Sequence, residues 1–325
     1  MHALIVTPAP EGSLAGNRRT AERWAEMLAR LEHSTEIVQE YRGEGCDLMI
    51  GLHARRSAES IARFHSARAD APLLVALAGT DLYGDLGHSP AAQRSVELAT
   101  RLIALHRLAG QDLDEELRPR LRVILQSAEP VRDAPPPVSD AFEICVLGHL
   151  RPVKDPFRAA EAAKLLPAES RVRVLHVGRA LEAPMEERAR REQAENPRYR
   201  WLGPLPRDEA RLLLARSRLL VLSSLMEGGA NVVGEAAVQG VPVVASRIPG
   251  SVGLLGADYP GYFPTGDTAA LADLIRRCES DPSFYDELQA RCRSVAPDFS
   301  PDTEREAWRS LLACLLYTSP SPRDP

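Results

Sequence analysis

Residues 219–246, LLVLSSLMEGGANVVGEAAVQGVPVVAS, contain the pattern that decides the fold. Two short apolar runs, Leu219–Leu222 and residues 241–245, flank a glycine-rich turn and a segment of helix length that ends at Gly240. Short runs rich in leucine or valine are typical of parallel strands that are buried on both faces. The stretch therefore predicts a strand–helix–strand unit of a parallel α/β sheet.

Similar units recur on both sides of a proline-rich segment, residues 131–140. Three consecutive prolines, 135–137, stiffen this segment and cannot donate backbone hydrogen bonds. We therefore expect two doubly wound α/β domains, one over residues 1–134 and one over 141–302, joined by a linker at 135–140. The apolar runs that predict their other strands are 3–6, 48–52, 73–77, 102–105 and 123–125, then 143–147 and 172–177.

The last part of the chain predicts one more helix. Residues 303–316 place Trp308, Leu311, Leu312 and Leu315 on one stripe, and we expect this helix to return to the first domain. Residues 317–325 carry no core pattern and resemble a translated sequencing adaptor. They are expected to be a disordered, non-native tail.

Composition excludes several classes of protein. The chain has 325 residues, 44% of them hydrophobic, which suffices for two cores and is too apolar for a disordered chain. Its formal net charge of −5 disfavours nucleic acid and anionic membranes as partners, so an anion must be bound by a local arrangement. No apolar run approaches the roughly 20 residues that span a bilayer, and no signal-peptide pattern opens the chain. The five cysteines lack metal-ligand spacing, so we expect reduced thiols and a cytoplasmic protein without membrane insertion.

The glycine-rich turn carries the strongest chemical signal. Glu227 and Glu235 are eight residues apart, and Gly228 and Gly229 let the backbone approach a ligand. Asn231 is a good N-cap for the following helix, whose free N–H groups suit a phosphate, while the carboxylates suit sugar hydroxyls. The turn predicts a nucleotide-sugar site; the alternative is a tight turn with solvated glutamates. The candidate donor-binding residues here are Glu227, Gly228, Gly229, Asn231, Val232 and Glu235.

A second donor-site candidate is the loop GHLRPVKD, residues 148–155, directly after a predicted strand. Arg151 and Lys154 can neutralise a diphosphate, and Lys154 is one of only two lysines in an arginine-rich chain. Ligands of open α/β sheets bind at the carboxyl ends of strands, where this loop and the glycine-rich turn both lie. We assign His149, Arg151 and Lys154 to the donor; the alternative is a solvated basic loop.

In this order the motifs resemble those of the retaining glycosyltransferases of the GT-B fold, family four. That family has a G-R-x-x-x-x-K stretch after the first strand of its second domain, then an E-x7-E turn and a G-x-P-V-V-A-S strand. The counterparts here are residues 148–154, 227–235 and 240–246. The resemblance implies two Rossmann-like domains that face a cleft, with the nucleotide sugar bound by the second.

The same resemblance assigns roles to the donor-site residues. It places Lys154 on the donor diphosphate, Glu227 on the sugar and Glu235 on the ribose, and it places residues 201–205 near the nucleobase. His149 stands where the family has its arginine, a departure for which Arg151 is expected to supply the missing charge.

Three loops of the first domain are candidates for the acceptor site. Residues 12–20 (GSLAGNRRT), 53–57 (HARRS) and 79–83 (GTDLY) place basic and hydroxyl side chains at strand ends and helix starts. They favour a small, strongly anionic acceptor; the alternative is solvated arginines and a structural histidine. The candidate residues are Gly16, Asn17, Arg18, Arg19, His53, Arg55, Arg56, Ser57, Thr80 and Asp81.

Residues 52–57, 79–83 and 147–156 together resemble a narrower group, the selenosugar synthases of selenoneine biosynthesis. This resemblance implies a UDP-sugar donor such as UDP-N-acetylglucosamine, selenophosphate as the acceptor, and a product with a carbon–selenium bond at the anomeric carbon. A phosphorylated sugar or an inositol phosphate would suit the same basic loops.

Selenophosphate carries its own nucleophile, so positioning and charge neutralisation matter more than a strong base. The candidate catalytic residues are His53, Asp81, Arg151, Lys154 and Glu227, with His53 and Asp81 as alternatives for proton transfer. We expect no cofactor and no metal. Two other functions stay open: transfer to another anionic, sugar, lipid or thiol acceptor, and non-catalytic binding of a nucleotide sugar. The G-x-G-x-x-G fingerprint of a nicotinamide-dependent oxidoreductase is missing after both opening strands.

Overall fold

A computed structural model of the chain describes residues 1–13, 16–79 and 81–318. It divides into two compact units. The first consists of Met1–Gln126 and the segment that starts at Pro301, and the second of Ser127–Ser300.

The first unit is a parallel α/β sheet, as the apolar runs predict. Its strands and helices are β1 (His2–Val6), α1 (Gly16–Arg30), β2 (Ser34–Val38), β3 (Leu48–Leu52), α2 (Ala58–Ala67), β4 (Leu73–Leu77), α3 (Pro90–Leu98), β5 (Arg101–Ala104), β6 (Leu121–Val123) and α11 (Pro301–Thr318). The strand order is β2-β1-β3-β4-β5-β6, and Leu4 lies opposite Glu36 on one side and Met49 on the other. The order reverses at β1 and β3, so this pair forms the topological switch point.

Apolar side chains cover both faces of this sheet, which is why β3 and β4 are buried at every position. Helices α2 and α3 pack on one face, and α1 and α11 on the other. Trp24 of α1 and Trp308 of α11 meet edge to face with ring centroids 5.0 Å apart. The stripe read from the sequence is therefore buried against the first sheet.

The structure differs from the sequence-based boundaries at both ends of the second unit. Gln126 donates to Thr20 Oγ1 at 2.7 Å, and Ala128 N donates to Phe299 O at 2.9 Å, so the chain leaves the first unit between residues 126 and 128, ahead of the prolines. Helix α11 begins at Pro301 and includes residues 317 and 318, which were expected to be disordered. The rest of the predicted tail, 319–325, lies outside the described residues.

The second unit is also a parallel α/β sheet. Its elements are β7 (Phe142–Leu147), α4 (Arg158–Lys164), β8 (Val172–Val177), α5 (Ala183–Glu195), β9 (Tyr199–Gly203), α6 (Arg207–Arg216), β10 (Leu219–Leu222), α7 (Asn231–Gln239), β11 (Val243–Ser246), α8 (Pro249–Leu255), β12 (Tyr262–Phe263), α9 (Thr268–Ser280) and α10 (Pro282–Val295). The strand order is β12-β11-β10-β7-β8-β9.

This order reverses between β7 and β10, where crossover connections go to opposite faces and leave a crevice at the carboxyl ends of the strands. The two loops that carry the predicted donor motifs follow these two strands. Strands β2, β9 and β12 were not predicted, because they lack a long apolar run. Within the described residues, no helix combines the length and the apolar character needed to cross a bilayer.

Candidate functional site

The two donor-site loops meet at the switch point of the second sheet. The ammonium of Lys154 forms an ion pair with Glu227 Oε1, and Ser224 Oγ donates to the same oxygen at 2.6 Å. The side chain of Glu227 is 9% exposed and that of Lys154 is 30% exposed. Two residues that are 73 positions apart in the chain thus form one charged group at the carboxyl ends of β7 and β10.

Backbone contacts hold these loops together. Leu225 N donates to Val153 O at 2.9 Å, and Ser223 Oγ donates to Asp155 O at 2.9 Å. A single 3-10 turn, Pro152–Lys154, orients the lysine, and Asp155 ends it in the left-handed region with φ of 43°. The position of Lys154 is therefore set by the residues that follow strand β10 as well as by its own loop.

Helix α7 starts one residue earlier than the sequence predicts. Ala230 is the N-cap and Asn231 is the first helical residue, so the expected role of Asn231 as N-cap is wrong. Asn231 and Val232 are the first two residues of the helix, so their backbone amides belong to its first turn. Gly229 precedes them with φ of 149°, a conformation that L side chains rarely adopt. Gly240 ends the helix in the left-handed conformation, as predicted.

The remaining donor-site candidates differ in their hydrogen bonds, ion pairs and burial. Within the described part of the chain, the half-buried Arg151 guanidinium has no ion pair or hydrogen bond, so it can take an anion. His149 Nδ1 accepts a hydrogen bond from Arg179 N at 3.1 Å. Glu235 lies half-buried on the second turn of α7, and Gly228 lies in the turn ahead of that helix.

A cavity of about 440 Å³ lies beside β9 in the same unit. Trp201 lines it, and its indole Nε1 donates to Gly178 O at 2.8 Å. The other lining residues are Arg179, Ala180, Glu186, Arg190, Gln193, Leu202, Gly203 and Pro204. Most of the segment that the family resemblance places near the nucleobase, residues 201–205, therefore borders an open cavity.

In the first unit, His53 lies at the carboxyl end of β3 with φ of 77° and is 3% exposed. A non-glycine residue in this region is strained, a feature that clusters at functional sites. Its Nδ1 is 3.9 Å from Asp81 Oδ2, and its Nε2 is 3.8 Å from Asp85 Oδ2. The ring thus lies between two carboxylates of the loop that follows β4.

Burial governs the protonation of this cluster. Loss of hydration lowers the pKa of His53, although Asp81 counteracts the shift, so the imidazole is neutral at pH 7. Burial raises the pKa of Asp81, and the nearby His53 and the backbone amides of Ala54 and Gly79 oppose that rise. Those two amides donate to Asp81 at 3.0 and 2.9 Å. A neutral histidine beside a hydrogen-bonded carboxylate is suited to move a proton.

Other acceptor candidates in the loop after β3 are partly engaged. Arg55 Nε pairs with Asp85 Oδ1 at 2.9 Å, and Ser57 is buried and donates its hydroxyl to Leu52 O at 2.6 Å. Arg56 is exposed. The structure therefore gives Arg55 a place in the cluster around His53, whereas Arg56 is the more accessible cation.

The acceptor candidates at the start of α1 lie at the same sheet edge, because β1 and β3 are neighbours. Arg18 pairs with Glu22 at 2.7 Å, and Gly16 is exposed. Asn17 and Arg19 are half-buried. Thr80 lies outside the described residues.

Comparison with known families decides the classification of the second unit. The family model described as glycosyl transferases group 1 matches residues 128–298, more than half of the chain. The chain belongs to the glycosyl transferases group 1 family. Residues 128–298 cover almost the whole of the second unit and include both loops at the switch point.

Solved structures share the fold of this group 1 chain. A complex of Anabaena HepE with UDP and glucose has a TM-score of 0.74 at 18% identity and covers 97% of this chain and 100% of that one. A sucrose-phosphate synthase from Thermosynechococcus elongatus has a TM-score of 0.77 at 16% identity, over 98% and 99% of the two chains. S. aureus TarM, in a complex with UDP and α-GlcNAc-glycerol, has a TM-score of 0.64 at 17% identity and covers 81% of this chain and 55% of that one. Comparison with curated protein sequences gives no match.

These findings confirm the predicted GT-B fold, with two Rossmann-like domains, and the predicted glycosyltransferase family. They do not test the assigned site residues or the acceptor, which stay predictions. Among the described residues, no group of three or more His, Cys, Asp or Glu side chains could hold a metal ion.

Sequence reasoning missed three residues of the two clusters in this group 1 chain. Ser224 supports Glu227, Asp85 faces His53, and His176 contacts the donor loop from strand β8. Only His176 leaves a signal in the sequence, as a histidine near the end of a strand whose other residues, apart from Arg173, are apolar. The other two are ordinary polar loop residues, which become informative only when their partners are known.

Proposed function

We propose that this chain is a glycosyltransferase that moves a sugar from a UDP-sugar, UDP-N-acetylglucosamine first, to selenophosphate. The observation that carries the proposal is the pairing of Lys154 with Glu227 at the switch point of the unit that matches the family. The Lys154 ammonium suits a diphosphate, and the Glu227 carboxylate suits a sugar hydroxyl.

Three sources of positive charge support a nucleoside diphosphate sugar as the donor. They are the Lys154 ammonium, the unpaired guanidinium of Arg151 within the described residues, and the N-terminus of α7. HepE was solved with UDP-glucose and TarM with UDP, which supports UDP as the leaving group here. The cavity beside Trp201 offers room for the nucleobase.

The first unit supports an anionic acceptor. Its sheet edge carries Arg19 and Arg56, whose side chains form no ion pair within the described residues, and the strained, neutral His53. A small oxyanion suits such a concentration of N–H donors. In sequence, residues 52–57 and 79–83 also resemble the selenosugar synthases.

The proposed reaction balances as a substitution at the anomeric carbon. A selenium–carbon bond forms while the carbon–oxygen bond to UDP breaks, and UDP leaves with the electron pair. Lys154 and Arg151 neutralise the charge that develops on the departing phosphate. Water then hydrolyses the phosphorus–selenium bond and releases phosphate and the selenosugar. His53 or Asp81 serves the proton transfers. The proposal needs no resident metal, because cationic side chains neutralise the phosphate charge in its place.

A phosphorylated sugar is the second candidate for the acceptor. The sucrose-phosphate synthase named above matches nearly the full length of both chains, and the same basic loops would accept a sugar phosphate. A protein that binds a nucleotide sugar without turnover is the remaining alternative, and UDP release separates it from both candidates.

The test is UDP release from UDP-N-acetylglucosamine with selenophosphate, thiophosphate, phosphate, a hexose phosphate or no acceptor, with products identified by mass spectrometry. Release that requires selenophosphate, together with a selenium-containing hexosamine, supports the proposal. If only the hexose phosphate supports UDP release, the acceptor is a sugar phosphate and not selenophosphate. UDP-sugar binding without release under any condition supports a non-catalytic protein, and Lys154→Met provides a background for each assay.

A further inference from the structure

The donor loop, residues 148–155, leaves the second sheet through a break in its hydrogen-bond ladder. Gly148 N donates to Val177 O at 2.9 Å, as a parallel ladder requires. In a regular ladder Arg179 N would then donate to Gly148 O. It donates to His149 Nδ1 at 3.1 Å, and the ladder resumes when Leu150 N donates to Arg179 O at 2.9 Å.

A second histidine supplies a donor for the carbonyl at this break. His176 Nε2 lies 3.1 Å from Gly148 O. A carbonyl can only accept, so Nε2 carries the proton. Burial lowers the pKa of His176 to about 4, which leaves the ring neutral and Nδ1 free to accept. The Tyr199 hydroxyl donates to that Nδ1 at 3.0 Å.

The same tyrosine also contacts the far end of the loop region. The ring of Tyr199 lies 6.5 Å from that of Phe157, which is the N-cap residue of α4 and lies two residues after Asp155. Both rings are buried. His176 of β8 therefore supports the start of the loop. Tyr199 of β9 supports the segment just beyond the end of the loop, where it packs near Phe157.

Close backbone packing leaves little freedom at the break itself. A Cβ at Gly178 would lie 1.9 Å from Gly148 O, so the two backbones are in direct contact. On the opposite side, Ser223 and Leu225 bond to the loop from β10. The course of the loop is set from both neighbouring strands. On the β8 side, His176 contacts the loop, and the loop's own His149 contacts Arg179.

We propose that His176 and His149 are positioning residues that direct the donor loop away from β8 and thereby place Lys154 and Arg151 against the donor diphosphate. His176 supplies the missing donor at Gly148 O, and His149 supplies the missing acceptor at Arg179 N. The inference rests on the proposed donor site. It also explains how His149 acts where the family has arginine: its Nδ1 is committed to the backbone.

The test compares two substitutions that separate hydrogen bonding from packing. His176→Leu fills the space without a donor, and His176→Gln keeps an N–H near the position of Nε2. UDP affinity is measured by calorimetry, and amide hydrogen exchange is measured for the peptide that contains residues 148–155. His106→Leu is the matched control, because His106 is also buried and bonded to a tyrosine hydroxyl, in the first unit.

We expect His176→Leu to weaken UDP binding about tenfold and to accelerate exchange in the loop, since one buried hydrogen bond is lost. His176→Gln should recover most of the affinity, and His106→Leu should change it less than about twofold while lowering thermal stability to a similar extent. For the other histidine, His149→Ala should weaken binding more than His149→Asn. Wild-type affinity and unchanged loop exchange in His176→Leu would overturn the inference.

Two measurements keep the inference separate from the proposed function. Nitrogen-15 NMR of the wild-type chain should show His176 protonated at Nε2 and not at Nδ1; the opposite tautomer overturns the proposal without any ligand. If the wild-type chain binds no UDP, the donor assignment fails, and loop exchange in His176→Leu still decides whether the histidine positions the loop.

Discussion

The ammonium of Lys154 contacts the carboxylate of Glu227 across the switch point of the second sheet, and Ser224 donates to the same carboxylate. Their loops follow strands β7 and β10, which adjoin in space although helix-containing segments separate them in sequence. Under the proposed function the two groups contact different parts of one donor. Their separate removal should therefore have different consequences.

Lys154→Met removes the ammonium and keeps a long side chain. We expect UDP affinity to fall at least about tenfold, because a charge-assisted contact to phosphate is lost. The measurement is calorimetric titration with UDP. The only other lysine provides the control: Lys164 pairs with Glu192 at 2.7 Å, and Lys164→Met should leave UDP affinity unchanged. Equal losses in the two variants would contradict the assignment.

Glu227→Gln keeps the shape of the side chain and removes its charge. We expect the turnover number to fall about tenfold or more while UDP affinity changes less than about threefold, because the carboxylate is assigned to the sugar and not to the nucleotide. Steady-state kinetics with the preferred acceptor, alongside UDP titration, test this. A loss of UDP affinity as large as that of Lys154→Met would place Glu227 on the nucleotide.

Gly250→Ala tests the packing that supports Glu227 from α8. An added Cβ would lie 2.2 Å from Glu227 O, so the backbone must shift, and we expect a loss of about 1–3 kcal/mol in the free energy of unfolding. Urea denaturation measures it. The control is Gly87→Ala, whose Cβ would meet no atom within 4 Å and should change stability by less than about 0.5 kcal/mol. A neutral Gly250→Ala would show that the α8 contact is adaptable.

His53→Asn separates strain from function in the first unit. Asparagine adopts positive φ more readily than most residues, so the variant should be at least as stable as the wild type in a thermal melt. Acceptor-dependent kcat/KM should fall about 100-fold, because asparagine cannot transfer a proton. Unchanged turnover would support the structural alternative for this histidine.

Stability should decrease on acidification because of two buried histidines. Burial lowers the pKa of His106 to about 4 and that of His176 to about 4, below the ordinary value of 6.5. Between pH 6.5 and 4 the unfolded chain binds protons that the folded chain does not, so the free energy of unfolding falls as the pH falls. At pH 5 we expect a loss of about 2 kcal/mol for each histidine. Urea midpoints at pH 7, 6 and 5 measure this, and His106→Gln should reduce the slope.

Much of the fold and part of the candidate site could be predicted from local sequence. The apolar runs at 48–52, 73–77, 172–177 and 219–222 coincide with strands, because a strand buried on both faces needs apolar residues at nearly every position. Strands β2 and β9 were missed, since their burial is partial and their partners are distant in sequence. The sequence places the domain boundary at the prolines, because they stiffen that segment of the chain. In the structure the boundary is set by the contacts that Gln126 and Ala128 make with residues distant in sequence.

The sequence by itself determined the parallel α/β class, the order of the donor motifs and the residue types they bring, because these depend on neighbours along the chain. Tertiary structure alone decided that Lys154 meets Glu227, that Arg55 is paired with Asp85, and that His176 reaches Gly148. Each of these contacts joins loops or strands whose proximity follows from strand order. The physical reason is that hydrogen bonds and ion pairs require contact within a few ångströms, which only the packed sheets create.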